Sequence, residues 1–343
     1  MHVTLRFKEN YQCQVTISTR GMVLREKKKS KLKKGLFIGG VIVAILLIAS
    51  AGYGYYLYHS VQKTATKVYK PLKTTADRTY PLKKTEQNSE ASSGTPSINI
   101  LLLGVDERTG DKGRSDTMIV ATLNPSTHSM LMTSIPRDTR VQIPGRSGYS
   151  KINAAYAYGD EDLAVQTVEK YMNIDIPYYV KVNMEGISSL VDAVGGVTVD
   201  NDISWTDEGY YKKGYVYQEG NIHLDGPQAL GYVRMRHLDP RGDLGRNLRQ
   251  RQVIQAILQK GKSFTSITNM NNILDVLGDN VTTNLTFNDM KRLVTDYDGC
   301  QDHIEDYQTK GTSQYIDGVS WVIVTDQEFQ NVHDKIEAQM NAK

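Results

Sequence analysis

Arginine side chains are concentrated in one stretch of the chain, DPRGDLGRNLRQRQ, residues 239–252. Within it, Arg246, Arg249 and Gln250 stand at positions i, i+3 and i+4, which puts them on one side of a helix. A guanidinium group matches phosphate oxygens, and a helix N-terminus adds N–H groups that attract an anion. The stretch therefore predicts a phosphate site, and a solvated helix face is the alternative.

Further arginines flank this stretch or lie earlier in the chain. YVRMRH contains Arg234 and Arg236, which share a face if the segment is extended but diverge by about 200° if it is helical. SIPRDT presents Arg137 on a loop after an apolar run, where an ordinary ion pair with Asp138 is the alternative. These side chains add to a candidate anion site if the fold brings them together.

Two carboxylates stand at the ends of neighbouring apolar runs in GVDERTGDKGRSDT, residues 104–117. Asp106 ends one predicted strand and Asp116 begins the next, so the two can face each other across the mouth of a site. Carboxylate oxygens suit Mg²⁺ better than zinc. The alternative is that both aspartates only shape turns. Arg114 in the same loop favours a phosphate bound to a metal.

The sequence lacks the motifs of several other kinds of active or binding site. The 343-residue sequence has no G-x-S-x-G, Walker or G-x-G-x-x-G motif, and its two cysteines, Cys13 and Cys300, have no partners at metal-ligand spacing. Neither a disulfide framework nor a zinc site is expected. The formal net charge of +3 is small for this length, so overall charge does not predict a nucleic-acid binder.

Strand and helix patterns alternate over residues 97–343. Apolar runs predict strands at SINILLLGV, TMIVATLN, HSMLMTSI, YYVKVN, VTV and VSWVIV. Helical spacing is found in DEDLAVQTVEKYM, NMEGISSLVDAVG, GRNLRQRQVIQAILQKGK, TFNDMKRLVTDY and DQEFQNVHDKIEAQM. The alternation predicts an α/β fold, a three-layer α/β/α domain with a central mixed sheet.

An uncharged apolar segment, residues 35–58, precedes this domain and is long enough for one transmembrane helix. The basic flank REKKKSKLKK keeps residues 1–34 in the cytoplasm as a tail, by the positive-inside bias. Residues 59–96 are polar and predict an extracellular tether. The expected location is the cell membrane, with a single span and an extracellular domain at 97–343. That position excludes a nucleic-acid partner.

Two features of the N-terminus have alternative interpretations. Ala49, Ser50 and Ala51 resemble a signal-peptide cleavage site, so the anchor could be removed. Met22 opens an ordinary short basic tail, and on that interpretation residues 1–21 are an over-called start of the chain.

Seven motifs follow one another in an order typical of one family. They are GVDER, GRSDT, SIPRDT, KINAAYAYG, VDAVGGV, LDGPQALGYVRMRH and DPRGDLGRNLRQRQVI. In this order the sequence resembles the LytR-CpsA-Psr (LCP) proteins of Gram-positive bacteria. The resemblance implies a phosphotransferase of cell-wall assembly. It would move an anionic glycopolymer, a teichoic acid or capsular polysaccharide, from undecaprenyl pyrophosphate in the membrane lipid to peptidoglycan, with a pyrophosphatase side activity. The alternatives are a transcriptional attenuator and a non-catalytic wall-polymer binding protein.

The resemblance also implies roles for individual residues. Asp106 and Asp116 match the family's Mg²⁺ carboxylates, with Mn²⁺ as a second candidate metal, and Asp243 matches an acidic residue near the metal. The residues expected to be catalytic are Asp116, Arg137 and Arg246. The resemblance does not settle which group deprotonates the acceptor hydroxyl, and Asp116 is the first candidate. With Arg114 and Arg249 added from the residue patterns, the expected pyrophosphate ligands are Arg114, Arg137, Arg234, Arg236, Arg246, Arg249 and Gln250. Arg241 and Arg251 are expected to be rim charges.

Overall fold

The computed structural model describes residues 15–18, 21–24, 52–73, 80–82, 94–107, 110, 112–262 and 267–343. The chain forms two compact units, residues 1–59 and 60–343. In the first unit, β1 (Val15–Ser18) and β2 (Gly21–Leu24) pair antiparallel, and residues 52–59 are helical. No helix among the described residues has the length and apolar character needed to cross a bilayer. Most of the predicted tail, 1–34, and of the predicted span, 35–58, lies outside the described residues.

The second unit begins with a helical segment, α1 (residues 60–68). Its strands are, in chain order, β3 (Ile98–Val105), β4 (Ser115–Asn124), β5 (Ser129–Ser134), β6 (Arg140–Val141), β7 (Ser150–Lys151), β8 (Tyr178–Asn183), β9 (Val197–Asn201), β10 (Trp205–Thr206), β11 (Val216–Tyr217), β12 (Gly220–Leu224), β13 (Val281–Thr283), β14 (His303–Gln308), β15 (Thr312–Ile316) and β16 (Val319–Ile323). Its further helices are α2 (Ala154–Met172), α3 (Met184–Ala193), α4 (Gly226–Arg234), α5 (Asp243–Lys262), α6 (Ile267–Asn280), α7 (Phe287–Asp296) and α8 (Asp326–Asn341).

A six-stranded sheet forms the centre of this unit, in the order β13-β8-β3-β4-β5-β14. Strand β3 pairs parallel with β8 and antiparallel with β4, and β14 pairs parallel with β5. The sheet is therefore mixed, which confirms the predicted α/β class and its central mixed sheet.

Alternate residues of the central strands enter different cores, because successive side chains of a strand point to opposite faces. Leu101 and Leu103 of β3 pack in one cluster with residues of α2 and α8. Ile98 and Ile100 of the same strand pack in a second cluster with residues of α5 and α7. Burial on both faces explains why β3 is read from the sequence as a continuous apolar run.

A third core joins α3, α4 and α5 to the small sheet of β9 and β12. Val191 of α3, Tyr232 of α4 and Val253 of α5 are each almost fully buried in it. This core packs α4 against α5, and these two helices together with the loop between them carry most of the arginines singled out from the sequence.

Both edges of the central sheet differ from the prediction. The edge strands β13 and β14 were not expected, whereas the predicted strands VTV and VSWVIV form β9 and β16 of separate two-stranded sheets. An edge strand can have few buried side chains, and most residues of β14 are half-exposed or exposed. Apolar runs therefore locate the four inner strands but not the two at the edges.

The predicted polar tether, residues 59–96, is wrong for its first part. Ala65, Val68 and Leu72 are buried, and Tyr69 forms a parallel bridge with Thr283 of β13. Ala65 and Val68 are three positions apart on α1, so they lie on one side of the helix, and Leu72 is buried after the helix has ended. A few buried apolar residues are enough to join this segment to the folded unit, although its composition is polar.

Candidate active site

The two predicted carboxylates lie together at the ends of paired strands. Asp106 follows β3, Asp116 is the second residue of β4, and both line the same two adjoining cavities, of about 330 and 730 Å³. Gly113 has a positive φ of 67°, and a side chain there would collide with the backbone of Asp106. Glycine at this position lets the loop fold back and bring the start of β4 beside Asp106.

Arg137 connects two of the carboxylates. It follows β5 and Pro136 on a loop, and its Nη1 donates to Oδ2 of Asp116 at 2.6 Å. Its Nε lies 3.8 Å from Oδ1 of Asp243. Arg137 therefore lies on a loop, as the sequence predicted. Its ion-pair partners are Asp116 and Asp243 rather than the neighbouring Asp138.

Arg234 and Arg236 both line the smaller cavity. Helix α4 ends at Arg234, and Met235 has an extended backbone with ψ 131°. On a continuing helix, the side chains of Arg234 and Arg236 would point in different directions. Because the helix ends at Arg234, both side chains can reach the same cavity. Arg234 Nη2 lies 3.6 Å from Asp106 Oδ1, and Arg236 Nε lies 3.9 Å from Asp243 Oδ1.

The first two turns of α5 contribute Asp243, Arg246 and Gln250. Arg246 and Gln250 are one turn apart and line the smaller cavity together. Arg246 Nη2 lies 2.5 Å from Asp243 Oδ1, and the residue is only 7% exposed. Burial lowers the pKa of Arg246 from its usual value, although Asp243 opposes this shift. A buried guanidinium at the start of a helix is a strong electrostatic site for an anion.

Two buried donors in this cavity have no hydrogen-bond acceptor among the described residues. They are Nε of Arg137 and Nε of Arg246. Buried N–H groups are normally paired with protein, water or a ligand, so these two donors are available to a bound anion. A phosphate or diphosphate, with its many oxygens, is such an anion.

The donor set of the carboxylates fits magnesium. Within the part of the chain that the structure describes, no three His, Cys, Asp or Glu side chains form a metal-binding group. Mg²⁺ is usually held by only one or two carboxylates, with water and substrate phosphates completing the six positions. Asp106 and Asp116, beside donors suited to phosphate, have the composition of such a site.

Residues 55–338 match the model of the LytR_cpsA_psr family. The chain belongs to this family. The family predicted from the order of the motifs is thereby confirmed, and the match also includes the segment around α1 that the sequence patterns assigned to a tether.

Relatives in this family are similar over most of their length. The polyisoprenyl-teichoic acid--peptidoglycan teichoic acid transferase TagU of Oceanobacillus iheyensis is 44% identical over 322 residues, which cover 92% of this chain and 97% of the relative. The crystal structure of B. subtilis TagU is 37% identical, with a TM-score of 0.59, and the match covers 72% of this chain and 98% of that one. A structure of TagT bound to LIIa-WTA is 33% identical, with a TM-score of 0.63, over 75% of this chain and 96% of that one.

Arg249 was predicted as a pyrophosphate ligand, but it lines neither of the two cavities. It is fully buried, its Nη1 donates to Asp239 Oδ2 at 2.7 Å, and its Nη2 donates to the carbonyl oxygen of Met235 at 2.6 Å. Arg249 is thus turned away from Arg246 toward the chain between α4 and α5, where it holds together the loop that carries Arg236.

The two expected rim arginines also have internal partners. Arg241 donates to Asp239 and Asp202, and it is half-exposed. Arg251, expected at the rim, is instead buried and donates to Ser134 of β5, with Asp306 of β14 at 3.2 Å. The arginines of residues 239–252 therefore have two different roles. Arg246 lines the candidate anion site, whereas Arg251 attaches α5 to the central sheet.

Arg249→Met is expected to lower the free energy of unfolding by about 3–5 kcal/mol, because it leaves the buried carboxylate of Asp239 without the one of its arginine partners Arg241 and Arg249 that is itself fully buried. Urea unfolding followed by circular dichroism measures the loss. Arg241→Met removes another partner of Asp239 and is the control; because Arg241 is half-exposed, about 1 kcal/mol or less is expected. Equal losses in the two variants would contradict this interpretation.

The ion pair of Asp239 and Arg249 also makes the free energy of unfolding depend on pH. Burial alone raises the pKa of Asp239, but hydrogen bonds from Arg241 and Arg249 lower it overall below its usual value. A carboxylate with a lowered pKa in the folded state contributes stability that is present above its unfolded pKa, about 3.9, and is lost at lower pH. The difference between the native chain and Arg249→Met should therefore shrink as the pH falls below about 4.

The larger cavity is lined by predicted ligands and by several residues that were not predicted. Arg114 lines it together with Arg137 and Arg236, and the residues that were not predicted include Lys151, Asn153 and Tyr315. Asn153 is buried and its Nδ2 donates to Asp116 Oδ1 at 3.2 Å. Lys151 and Asn153 belong to the KINAAYAYG motif, which was part of the family pattern but was not assigned a role in the site.

Proposed function

We propose that the chain is a transferase that moves teichoic acid from a polyisoprenyl pyrophosphate carrier to peptidoglycan. The polymer and the acceptor come from the names of relatives that are 43–44% identical over at least 90% of this chain. The single observation that carries the proposal is the convergence of Arg137, Arg234, Arg236 and Arg246 on the cavity that Asp106 and Asp116 also line. A highly charged oxygen-rich group, such as a diphosphate, matches a group of guanidinium donors.

The smaller cavity is suited to the diphosphate of the carrier. Arg234 of α4, Arg236 of the loop after it and Arg246 of α5 supply positive charge, and Gln250 supplies an amide one turn from Arg246. Interactions that strengthen as charge moves to the departing phosphate lower the barrier of the reaction. Asp243 pairs with Arg246 and lies near Arg137 and Arg236, so we assign it to orient these arginines rather than to contact substrate.

Transfer requires one bond to form and one to break. The oxygen of an acceptor hydroxyl attacks the phosphorus atom that bears the polymer, and the bond from that phosphorus to the bridging oxygen breaks. Polyisoprenyl monophosphate leaves with the bridging oxygen, and the hydroxyl proton passes to the carboxylate of Asp116. A Mg²⁺ ion, held by Asp106 and Asp116 when bound, would neutralise phosphate charge. Mn²⁺ is the second candidate metal.

A transfer assay with the full chain in detergent tests the proposal. The donor is a labelled teichoic acid precursor on polyisoprenyl pyrophosphate, and the acceptor is uncrosslinked peptidoglycan. Label is expected in the peptidoglycan with Mg²⁺ and not after chelation. Binding of donor with no product would favour a polymer-binding protein, and water as the only acceptor would leave a pyrophosphatase.

We propose that the chain is anchored in the cell membrane by residues 35–58, with a cytoplasmic N-terminus and residues 60–343 outside the cell. The support is the uncharged run and its basic flank in the sequence, together with a lipid-linked donor, which remains in the membrane. Cleavage of the folded unit by protease added to intact protoplasts is the expected result. Protection of that unit until the cells are lysed would contradict this topology.

A further inference from the structure

The larger cavity, about 730 Å³, adjoins the smaller one and shares Asp106, Asp116, Arg137 and Arg236 with it. The shared residues are those that face the reacting phosphates in the proposed function. A group in the larger cavity would therefore approach the same carboxylates from the other side. A donor in the smaller cavity and an acceptor in the larger cavity would therefore meet at Asp116.

The hairpin of β15 and β16 contributes to the wall of the larger cavity. Tyr315 and Ser320 are directly paired across the two strands, and both line the cavity. The hairpin turns at Asp317 and Gly318, which have positive φ values of 51° and 76°. Two such residues make the tight turn whose twist matches that of the strands, so the hairpin is well defined.

This hairpin is attached to the loop that carries Arg137. The backbone N–H of Val322 in β16 donates to the carbonyl oxygen of Asp138 at 2.9 Å, and Val322 also bridges Thr139. The backbone of the hairpin that carries Tyr315 is therefore held in place relative to the residue that pairs with Asp116. A binding platform that is ordered in advance costs less conformational entropy when its ligand arrives.

The chemistry of the cavity is that of a sugar site. Tyr315 is 80% exposed, an unusual degree for an aromatic side chain that lines a cavity. Around it are hydrogen-bonding groups: Ser320, Asn153 and the ion pair between Lys151 and Asp138, at 2.8 Å. An aromatic face covers the C–H face of a sugar ring, while polar groups bind its hydroxyl and amide groups.

We propose that the larger cavity is the acceptor site, where a sugar of the peptidoglycan glycan strand stacks on Tyr315 and directs a hydroxyl to Asp116. This inference rests on the proposed function and adds the location of its second substrate. The acceptor oxygen forms the new bond to phosphorus from this cavity, its proton passes to Asp116, and polyisoprenyl monophosphate leaves from the smaller cavity. Tyr315 is a substrate-binding residue for the acceptor alone.

The kinetic test varies the concentration of a soluble oligosaccharide of the glycan strand, with the full chain and saturating lipid-linked donor. Tyr315→Ala is expected to raise the KM for the oligosaccharide about tenfold, the size of one substantial binding contact, and to leave the KM for donor unchanged. Tyr315→Phe keeps the ring and should behave as the unaltered chain. Gln314→Ala is the matched control, because Gln314 is the exposed neighbour on the same strand and pairs with Trp321 instead.

A binding test separates this inference from the proposed function. The same oligosaccharide is titrated into the full chain without donor, and its affinity is compared in the unaltered chain, Tyr315→Ala and Gln314→Ala. Weaker binding in Tyr315→Ala alone supports the acceptor site even if no transfer is detected, in which case only the proposed function fails. If transfer occurs and Tyr315→Ala changes neither the oligosaccharide KM nor its binding, the acceptor site is overturned. An increased KM for donor in Tyr315→Ala overturns it as well.

Discussion

Asp116→Asn is expected to slow polymer transfer by about 10²–10⁴-fold, the contribution usual for a general base. Asn has the same shape as Asp and keeps an oxygen that accepts the hydrogen bond from Arg137, which is 2.6 Å from the native carboxylate. It cannot take the proton of the acceptor hydroxyl, and it is a weaker ligand for Mg²⁺. The initial rate of label transfer to peptidoglycan, with both substrates saturating, measures the loss.

The control for this variant is Asp279→Asn. Asp279 pairs with Lys67 at the surface and lines neither cavity, so the transfer rate should stay close to that of the native chain. Unfolding temperatures of both variants show whether the fold is kept. Transfer by Asp116→Asn at more than about a tenth of the native rate would contradict the role of Asp116 as base and metal ligand.

Arg246→Lys is expected to lower kcat by about 10²–10³-fold, the effect of removing one preorganised donor to developing charge. Lysine keeps a positive charge but not the planar fork of guanidinium donors. Arg246 is also the most buried of the arginines that line the smaller cavity, and it is ordered by Asp243 at 2.5 Å. Single-turnover measurements with labelled donor isolate the transfer step from product release.

Arg146→Lys is the matched control for Arg246→Lys. Arg146 stacks on Tyr158, with 3.7 Å between its guanidinium carbon and the ring centroid, and lines neither cavity. No change in kcat is expected. If Arg246→Lys instead raised only the KM for donor and left kcat unaltered, Arg246 would bind the ground state and the transition state equally, contrary to the proposed role.

Strands buried on both faces were predictable from the sequence because burial leaves a continuous apolar run. SINILLLGV and TMIVATLN form β3 and β4, whose residues alternate between two cores. The edge strand HIEDYQ gave no such signal, since it pairs with only one neighbour and half of its side chains are exposed. Helix α6 was missed for a different reason: its Asn and Thr residues have low helix propensity.

Residue type and spacing identified the group of arginines, but they did not separate ligands from structural arginines. Arg246 and Arg249 are three positions apart on α5, a spacing that predicted one shared face. The orientation of each follows its partner: Arg246 pairs with Asp243 at the start of the same helix, and Arg249 pairs with Asp239, which lies before the helix begins. Asp239 follows the end of α4, and the sequence of α5 alone does not indicate that its carboxylate is buried beneath the helix.

Residues from distant elements were the hardest to predict. Asn153 reaches Asp116 from a position 37 residues away, and Tyr315 reaches the same cavity from the hairpin of β15 and β16. Neither residue belongs to a charged cluster, and each gains its position from the packing of the whole unit. Asn153 lay in a motif of the family pattern, whereas no motif pointed to Tyr315.

The most direct test of the proposed function is a count of the two products of one transfer reaction. The full chain in detergent is incubated with Mg²⁺, a teichoic acid precursor on polyisoprenyl pyrophosphate, and uncrosslinked peptidoglycan. Mass spectrometry of the lipid and of the digested peptidoglycan is predicted to give one polyisoprenyl monophosphate for each polymer attached to a sugar through a phosphodiester. Polyisoprenyl monophosphate with no polymer on the peptidoglycan, or intact donor after complete binding, would contradict the proposed transfer.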